Sequence, residues 1–276
     1  MTKAQLEGSF YQSRIQRAQE LAGRYASASE VLSFYQRVAV LQNELHATIS
    51  SMATPELQIS GQNGLSAPPD FSLLLPQLPE FLSVVISFAP GPLAEAARQF
   101  SIQTREFWIN ELGNYWQREV RQDGEVNAFK QFLPRAFLQP FIELSASRAR
   151  PAPPSAITRA CLLCGSGPLL GVLRPEGDGG KRHLVCSFCL HEWAFRRILC
   201  PWCGEEAENK LPVYIAEEFP HIKVEACETC KNYLRTIDLT KDGRAVPIVD
   251  DLAAIPLSLW ADEHGYTRPE QNLLGT

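Results

Sequence analysis

Apolar residues recur along the first half of the chain with helical spacing. Val31, Phe34, Val38, Leu41, Leu45 and Ile49 fall on one face of a 3.6-residue period. Ser27-Ala-Ser-Glu30 precedes them in the form of a capping box, with the serine covering a free amide and the glutamate reaching back. The pattern stops at Thr54. From there to Pro79, five prolines and two glycines stand among polar residues, which predicts an exposed loop between helices. The apolar signal resumes at Phe81–Phe88 and Leu93–Phe100, then at Phe107, Trp108, Leu112, Tyr115 and Trp116. A last helical region holds Phe129, Phe132, Leu133, Phe137, Leu138, Phe141 and Ile142. Pro134 and Pro140 interrupt it, and each removes an amide donor, so kinks or separate short helices are expected.

Nine aromatic residues between Phe100 and Phe141 could line a groove for a partner peptide. Large apolar residues at helical spacing are more often a packed core, and that is the expectation here. Arg148-Ala-Arg-Pro-Ala-Pro-Pro154 then reads as a stiff linker. Beyond it the pattern becomes one of short strands. Leu169–Leu173 and Leu211–Ile215 are strand-like, and each lies between pairs of cysteines.

Composition narrows the field. The 276 residues are 45% hydrophobic and 21% charged, enough to bury a core and too little biased for disorder. The N-terminus, Met1-Thr-Lys-Ala-Gln-Leu-Glu7, carries no apolar stretch of signal-peptide length. The run Phe81–Phe88 is far short of the roughly 20 residues of a membrane span. A cytosolic protein without a membrane span is therefore expected, a compartment in which clustered cysteines are metal ligands or catalytic thiols more often than disulfides.

All eight cysteines lie between residues 161 and 230, and every one belongs to a Cys-x-x-Cys pair. The pairs are Cys161/Cys164, Cys186/Cys189, Cys200/Cys203 and Cys227/Cys230. Two residues between thiols allow a tight turn to aim both sulfurs at one ion, and two such turns complete a tetrahedral four-sulfur site. An internal repeat suggests the partners. Cys161-Leu-Leu-Cys164-Gly165 and Cys200-Pro-Trp-Cys203-Gly204 each precede a strand and a second pair. Glycine in that position suits the positive φ of a turn around sulfur. The expected sites are Cys161, Cys164, Cys186 and Cys189, and Cys200, Cys203, Cys227 and Cys230. A crossed arrangement joining the first pair to the fourth is compatible with the spacing but ignores the repeat. All-thiolate sites accept zinc or iron, and ligand type alone does not separate the two.

Three functions fit such a module. Nucleic-acid binding needs lysine and arginine to displace counterions from phosphate. Residues 151–276 hold 13 Lys and Arg against 17 Asp and Glu, and each divalent ion held by four thiolates adds a further −2, about −4 over the two sites. That charge argues against nucleic acid. Thiol redox chemistry is suggested by Cys200-Pro-Trp-Cys203, yet a reactive dithiol belongs at a helix start in a βαβ unit, and none is visible. The third reading is a metal-stabilised module that holds another protein, since closed four-sulfur sites leave no position for a substrate.

Other motifs fail. His191-Glu-Trp-Ala-Phe195 has phenylalanine where a zinc protease needs its second histidine. His46, His183, His191, His221 and His264 are scattered, with His183 and His191 near cysteine turns. Asp250-Asp251 precedes Leu252–Ile255 and reads as an acidic helix cap. No catalytic residue is identified, and the chain is not expected to be an enzyme.

The stretch His183-Leu-Val-Cys-Ser-Phe-Cys-Leu-His-Glu-Trp193, with Arg197 and Cys200 beyond it, resembles the FdhE family of formate dehydrogenase accessory proteins. Glu225-Ala-Cys-Glu-Thr-Cys230, Tyr233-Leu234, Asp250-Asp-Leu-Ala253 and Gly265-Tyr-Thr-Arg268 extend the resemblance, which covers residues 161–276 well and the helical half loosely. It implies a cytoplasmic assembly factor, a metal-binding chaperone for the catalytic subunit of a respiratory formate dehydrogenase, needed for that enzyme's maturation. It also implies two iron ions held in rubredoxin-like manner by the eight cysteines, with zinc the alternative. The expected fold is α+β: a helical domain over 1–150, with its loop at about 54–79, ribbon modules over 151–198 and 199–240, and a tail with a short helix over 241–276. No nucleic-acid partner is expected, the docking surface is not located, and a homodimer is left open.

Overall fold

Two long helices, α1 (Lys3–Arg24) and α2 (Ser29–Ser51), meet at a single tight turn. In this computed structural model, residues 3–52, 69–117, 128–149, 158–177 and 179–275 are described. The buried face of α2 includes Leu32, Tyr35, Val38, Leu41, Leu45 and Ile49, so its register follows the apolar period with Val31 and Phe34 at the margin. The capping box does not form. Ala26–Ala28 make a 3₁₀ turn, Ala28 is the N-cap of α2, and no side chain caps the helix. Packing fixes the turn instead: Ala28 is fully buried and the Tyr25 ring lies 4.7 Å from that of Phe219.

The proline-rich segment is described from residue 69 onward, and there it is not an exposed loop; its earlier part, 53–68, lies outside the described residues. Two 3₁₀ turns, Phe71–Leu73 and Leu75–Gln77, lead into α3 (Leu78–Phe88), with Phe71, Leu74, Leu75 and Leu78 buried. Prolines here shape short helical turns because each stands at a position whose amide needs no intrahelical partner. Phe71–Phe88 has the length and apolarity of a membrane span, but these turns break it up. The 11 residues of α3 rise only about 16 Å against a hydrocarbon core of about 30 Å.

Helices α4 (Gly91–Ser101), α5 (Arg105–Gln117) and α6 (Ala128–Arg148) complete the helical body. Pro134 and Pro140 do not divide α6. Pro140 deprives the Ala136 carbonyl of its usual amide, and Gln42 Nε2 from α2 donates to that carbonyl at 2.9 Å. The unsatisfied group is thereby repaired by a neighbouring helix, so the helix continues through the proline. Phe100, Trp116, Phe132, Phe137 and Phe141 are buried, as a core rather than a groove. The linker at 148–154 lies outside the described residues from 150 onward.

The cysteine-bearing half forms one six-stranded sheet. Its strands are β1 (Pro168–Glu176), β2 (Gly179–Cys186), β3 (Glu192–Ala194), β4 (Val213–Ile215), β5 (Ile222–Ala226) and β6 (Tyr233–Asp238), in the order β3-β2-β1-β6-β5-β4. Each ribbon is an antiparallel three-stranded unit, and the two join where β1 and β6 run parallel with Gly171 opposite Thr236. A Cβ on Gly171 would lie 2.3 Å from Thr236 Oγ1, so any larger residue would force the threonine or the seam to shift. Arg182 on β2 crosses it as well, pairing with Glu225 of β5 at 2.5 Å.

Helices α7 (Pro247–Ala253) and α8 (Ile255–Glu263) close the chain. Asp250 and Asp251 are fully buried inside α7, not at its exposed start. Asp250 does reach back to the N-cap amide of Val246 at 2.7 Å, but its main partners are cations. Among the described residues two large cores result, with a small third of Leu169, Leu170, Val172 and Val185 on β1 and β2. One large core runs from α2, α3 and α6 to the first ribbon, and the other joins α1, α7 and α8 to β5 and β6.

Candidate metal centres

Four turns of one design carry the cysteines. In each, the amide of the first cysteine donates to the carbonyl five residues on: Cys161 to Ser166, Cys186 to His191, Cys200 to Glu205 and Cys227 to Asn232, at 2.9–3.0 Å. The residue four after that cysteine takes a positive φ: 74° at Gly165, 83° at Gly204, 55° at Leu190 and 58° at Lys231. Glycine is at ease there, whereas Leu190 and Lys231 adopt a conformation that costs an L-residue about 1–2 kcal/mol. The glycine signal therefore marks only the first turn of each ribbon; the geometry is common to all four.

The turns meet in sequential pairs. The thiols of Cys161, Cys164, Cys186 and Cys189 lie within 4.8 Å of one another, and so do those of Cys200, Cys203, Cys227 and Cys230. In the first cluster Cys161–Cys189 and Cys164–Cys189 are 3.6 Å apart and Cys164–Cys186 3.3 Å. In the second, Cys200–Cys230 is 3.7 Å and Cys203–Cys227 3.6 Å. A tetrahedral ion with metal–sulfur bonds of about 2.3 Å requires sulfurs about 3.8 Å apart, so both clusters have the size of an occupied site.

Their electrostatics ask for a cation. Hydrogen bonding with Cys161, Cys186 and Cys189 holds the Cys164 thiol well below its usual range. Burial pushes Cys186 well above it, as it does Cys200 in the second cluster. Thiols this close cannot all ionise without positive charge among them, which a divalent ion supplies. Backbone amides already point at sulfur, from Leu163 to Cys161 and from Phe188 and Cys189 to Cys186, each at 3.4 Å.

The surroundings differ. The first cluster is wholly buried and belongs to the core it shares with the helical body. The Phe188 ring, between Cys186 and Cys189, packs 5.7 Å from Trp116 and 5.6 Å from Tyr115. From α6, Gln139 Nε2 donates to the Phe188 carbonyl and Arg135 to that of Ser187. In the second cluster Cys203 is exposed and Cys230 half-exposed. Cys200-Pro-Trp-Cys203 forms a turn without a helix, unlike a redox dithiol.

The histidines contribute no ligand to either cluster. His191 has its pKa lowered by burial, and its neighbour Glu192 pairs with Arg174 at 2.5 Å. His183 Nδ1 lies 3.7 Å from Glu192. His46 packs on Tyr11, and His264 stacks on Trp260. His221 has a role invisible in the sequence: it is buried, and its Nε2 lies 2.8 Å from Asp250 Oδ1.

That contact belongs to a buried ionic network. Arg17 of α1 grips Asp250 with Nε at 3.0 Å and Nη2 at 2.6 Å, and Asp242 with Nη2 at 2.9 Å. Asp251 takes Arg235 at 2.8 Å, Arg268 at 2.9 Å and Asn272 at 2.8 Å. The first helix, the second ribbon and the tail are thereby tied at two adjacent carboxylates. In the sequence Asp250-Asp251 reads as a helix cap and Gly265–Arg268 as part of a family resemblance, and neither points to Arg17.

A helical body packed on one sheet with two four-thiol clusters defines a two-centre metal-binding protein whose clusters leave no ligand position for a substrate. Residues 160–197 match the family model described as "FdhE, central domain", and 199–274 that described as "FdhE, C-terminal domain". A "Protein FdhE homolog" of Aquifex aeolicus is 26% identical over 264 residues, covering 92% of both chains. Another, from Stutzerimonas stutzeri, is 39% identical over 118 residues, covering 41% of this chain and 37% of that one. The crystal structure of the FdhE protein from Pseudomonas aeruginosa shares the fold, with a TM-score of 0.79 at 23% identity over 98% of this chain and 96% of that one. Over residues 160–197 and 199–274 the chain is thus similar to the FdhE family, and its whole fold is that of an FdhE protein.

Proposed function

We propose that this protein acts in the cytoplasm on the catalytic subunit of a respiratory formate dehydrogenase, binds it during maturation and is needed for its activity. The eight cysteines hold two iron ions in rubredoxin-like sites, Cys161, Cys164, Cys186 and Cys189 in one and Cys200, Cys203, Cys227 and Cys230 in the other. The observation that carries the metal part is the preassembly of both thiol sets at tetrahedral spacing. The similarity to FdhE proteins is what supports the partner. In this reading the units are the helical body over 1–150, the ribbons over 151–198 and 199–240, and the tail over 241–276.

When bound, the metal supplies folding energy and a fixed charge. The chain's own residues form the turns, aim amides at sulfur and, around the first cluster, exclude water. Zinc satisfies the same ligands, and elemental analysis of anaerobically purified protein decides between the two; zinc alone would overturn iron. The partner is tested by affinity capture of the tagged full chain from cells making formate dehydrogenase. Recovery of the catalytic subunit is expected. A deletion strain with undiminished formate-dependent respiration would overturn the maturation role.

A further inference from the structure

The two clusters share ligand type and turn design but not environment. The first is buried: Cys161, Cys164, Cys186 and Cys189 are each at most 4% exposed and lie in the core beneath α6, with Cys189 alone bordering a surface groove beside Leu190 and His191. The second is open on one side. Cys203 is exposed and Cys230 half-exposed to solvent, while Cys200 and Cys227 are buried at the edge of a groove of about 360 Å³ between the ribbons. A thiol reacts only when a reagent reaches it, and buried structural thiols are inert.

Resting on the two-site reading above, we propose that the centres divide their work: the inner one is structural, and the outer one is a reactive site that peroxides attack at Cys203. The Cys203 thiolate attacks a peroxide oxygen and the O–O bond breaks. With hydrogen peroxide the sulfur loses two electrons to become a sulfenic acid, and hydroxide leaves. The Cys227 thiolate, 3.6 Å away, then attacks that sulfur and displaces a second hydroxide, leaving a Cys203–Cys227 disulfide. One peroxide has been reduced by two electrons and two thiolates oxidised. The outer ion, stripped of two of its four ligands, departs. The inner ion stays, because its sulfurs are buried while the helical body is folded.

The test uses the full chain loaded with zinc, which has no redox chemistry of its own. Hydrogen peroxide is added in the presence of a chromogenic zinc chelator, and thiols are trapped with N-ethylmaleimide for peptide mass spectrometry. Half of the zinc should be released at least about tenfold faster than the rest, with a Cys203–Cys227 disulfide and no modification of the inner cysteines before denaturation. The Cys203→Ser protein should keep the inner ion and lose the fast phase. Release of both ions at one rate, inner cysteines modified first, or a fast phase persisting in Cys203→Ser would overturn the division of work. Fewer than two zinc ions per chain at the start would overturn the two-site reading itself, and this inference with it.

Discussion

Gly171 of β1 faces Thr236 of β6 so closely that a Cβ on the glycine would stand 2.3 Å from the threonine hydroxyl oxygen. This contact joins the two ribbons. Gly171→Ala should force the seam apart and destabilise the protein by about 1–3 kcal/mol, the usual range for overpacking. Thermal unfolding checks it. Thr236→Ser, which removes a methyl but keeps the hydroxyl, should not relieve the clash, whereas Thr236→Ala in the Gly171→Ala background should recover part of the loss.

The bond from Gln42 to the Ala136 carbonyl predicts a thermodynamic coupling. Gln42→Ala should cost about 1–3 kcal/mol, because it leaves a buried carbonyl unsatisfied. Pro140→Ala restores an amide to α6, so the same Gln42 substitution should cost less in that background. A double-mutant cycle in urea measures the difference, and strict additivity would show that the glutamine does not substitute for the missing amide.

The paired carboxylates of α7 predict a large effect from small changes. Asp250→Asn leaves the buried Arg17 guanidinium without its main counter-charge, and Asp251→Asn does the same to Arg235. Each should cost about 3–5 kcal/mol, as expected when one partner of a buried pair is removed. Chemical denaturation reads the loss, and hydrogen exchange should locate it in α1, β6 and α7.

Asp238 gives a pH dependence of known sign. Burial alone would raise its pKa, but hydrogen bonds from Lys223 and Thr240 bring it below the ordinary carboxylate value. A depressed folded pKa stabilises above the unfolded value of about 3.9 and loses that stabilisation as pH falls through the folded one. The stability gap between wild type and Asp238→Asn should therefore be full at pH 7 and shrink below about pH 4. Urea titrations across that range check it, and a gap that widens on acidification would reverse the assignment.

Removal of metal should act first on the sheet. Apart from the small cluster of Leu169, Leu170, Val172 and Val185 in the first ribbon, the buried apolar residues of both ribbons pack chiefly against helices or thiols, so chelation after mild denaturant should abolish exchange protection in β1–β6 before it affects α2 and α6. Cys164→Ser, at the centre of the buried cluster, should lower the midpoint of unfolding more than Cys203→Ser at the exposed one.

What was legible from residues alone is local. Helical periodicity placed α2 and the burial of its face, and the two-residue spacing of eight cysteines, with the repeat of strands between them, specified four turns and their sequential pairing. Both signals work because a helix period and a metal turn are short-range constraints written in neighbouring positions. The tertiary structure decided everything that depended on partners far along the chain. Pro140 stays inside a helix because Gln42, nearly a hundred residues earlier, satisfies the freed carbonyl. Asp250 and Asp251 are bound by Arg17, His221, Arg235 and Arg268 rather than standing as exposed caps. All four thiols of one cluster are buried while Cys203 of the other is exposed because α6 packs on the first, and no residue within either Cys-x-x-Cys pattern encodes what lies above it.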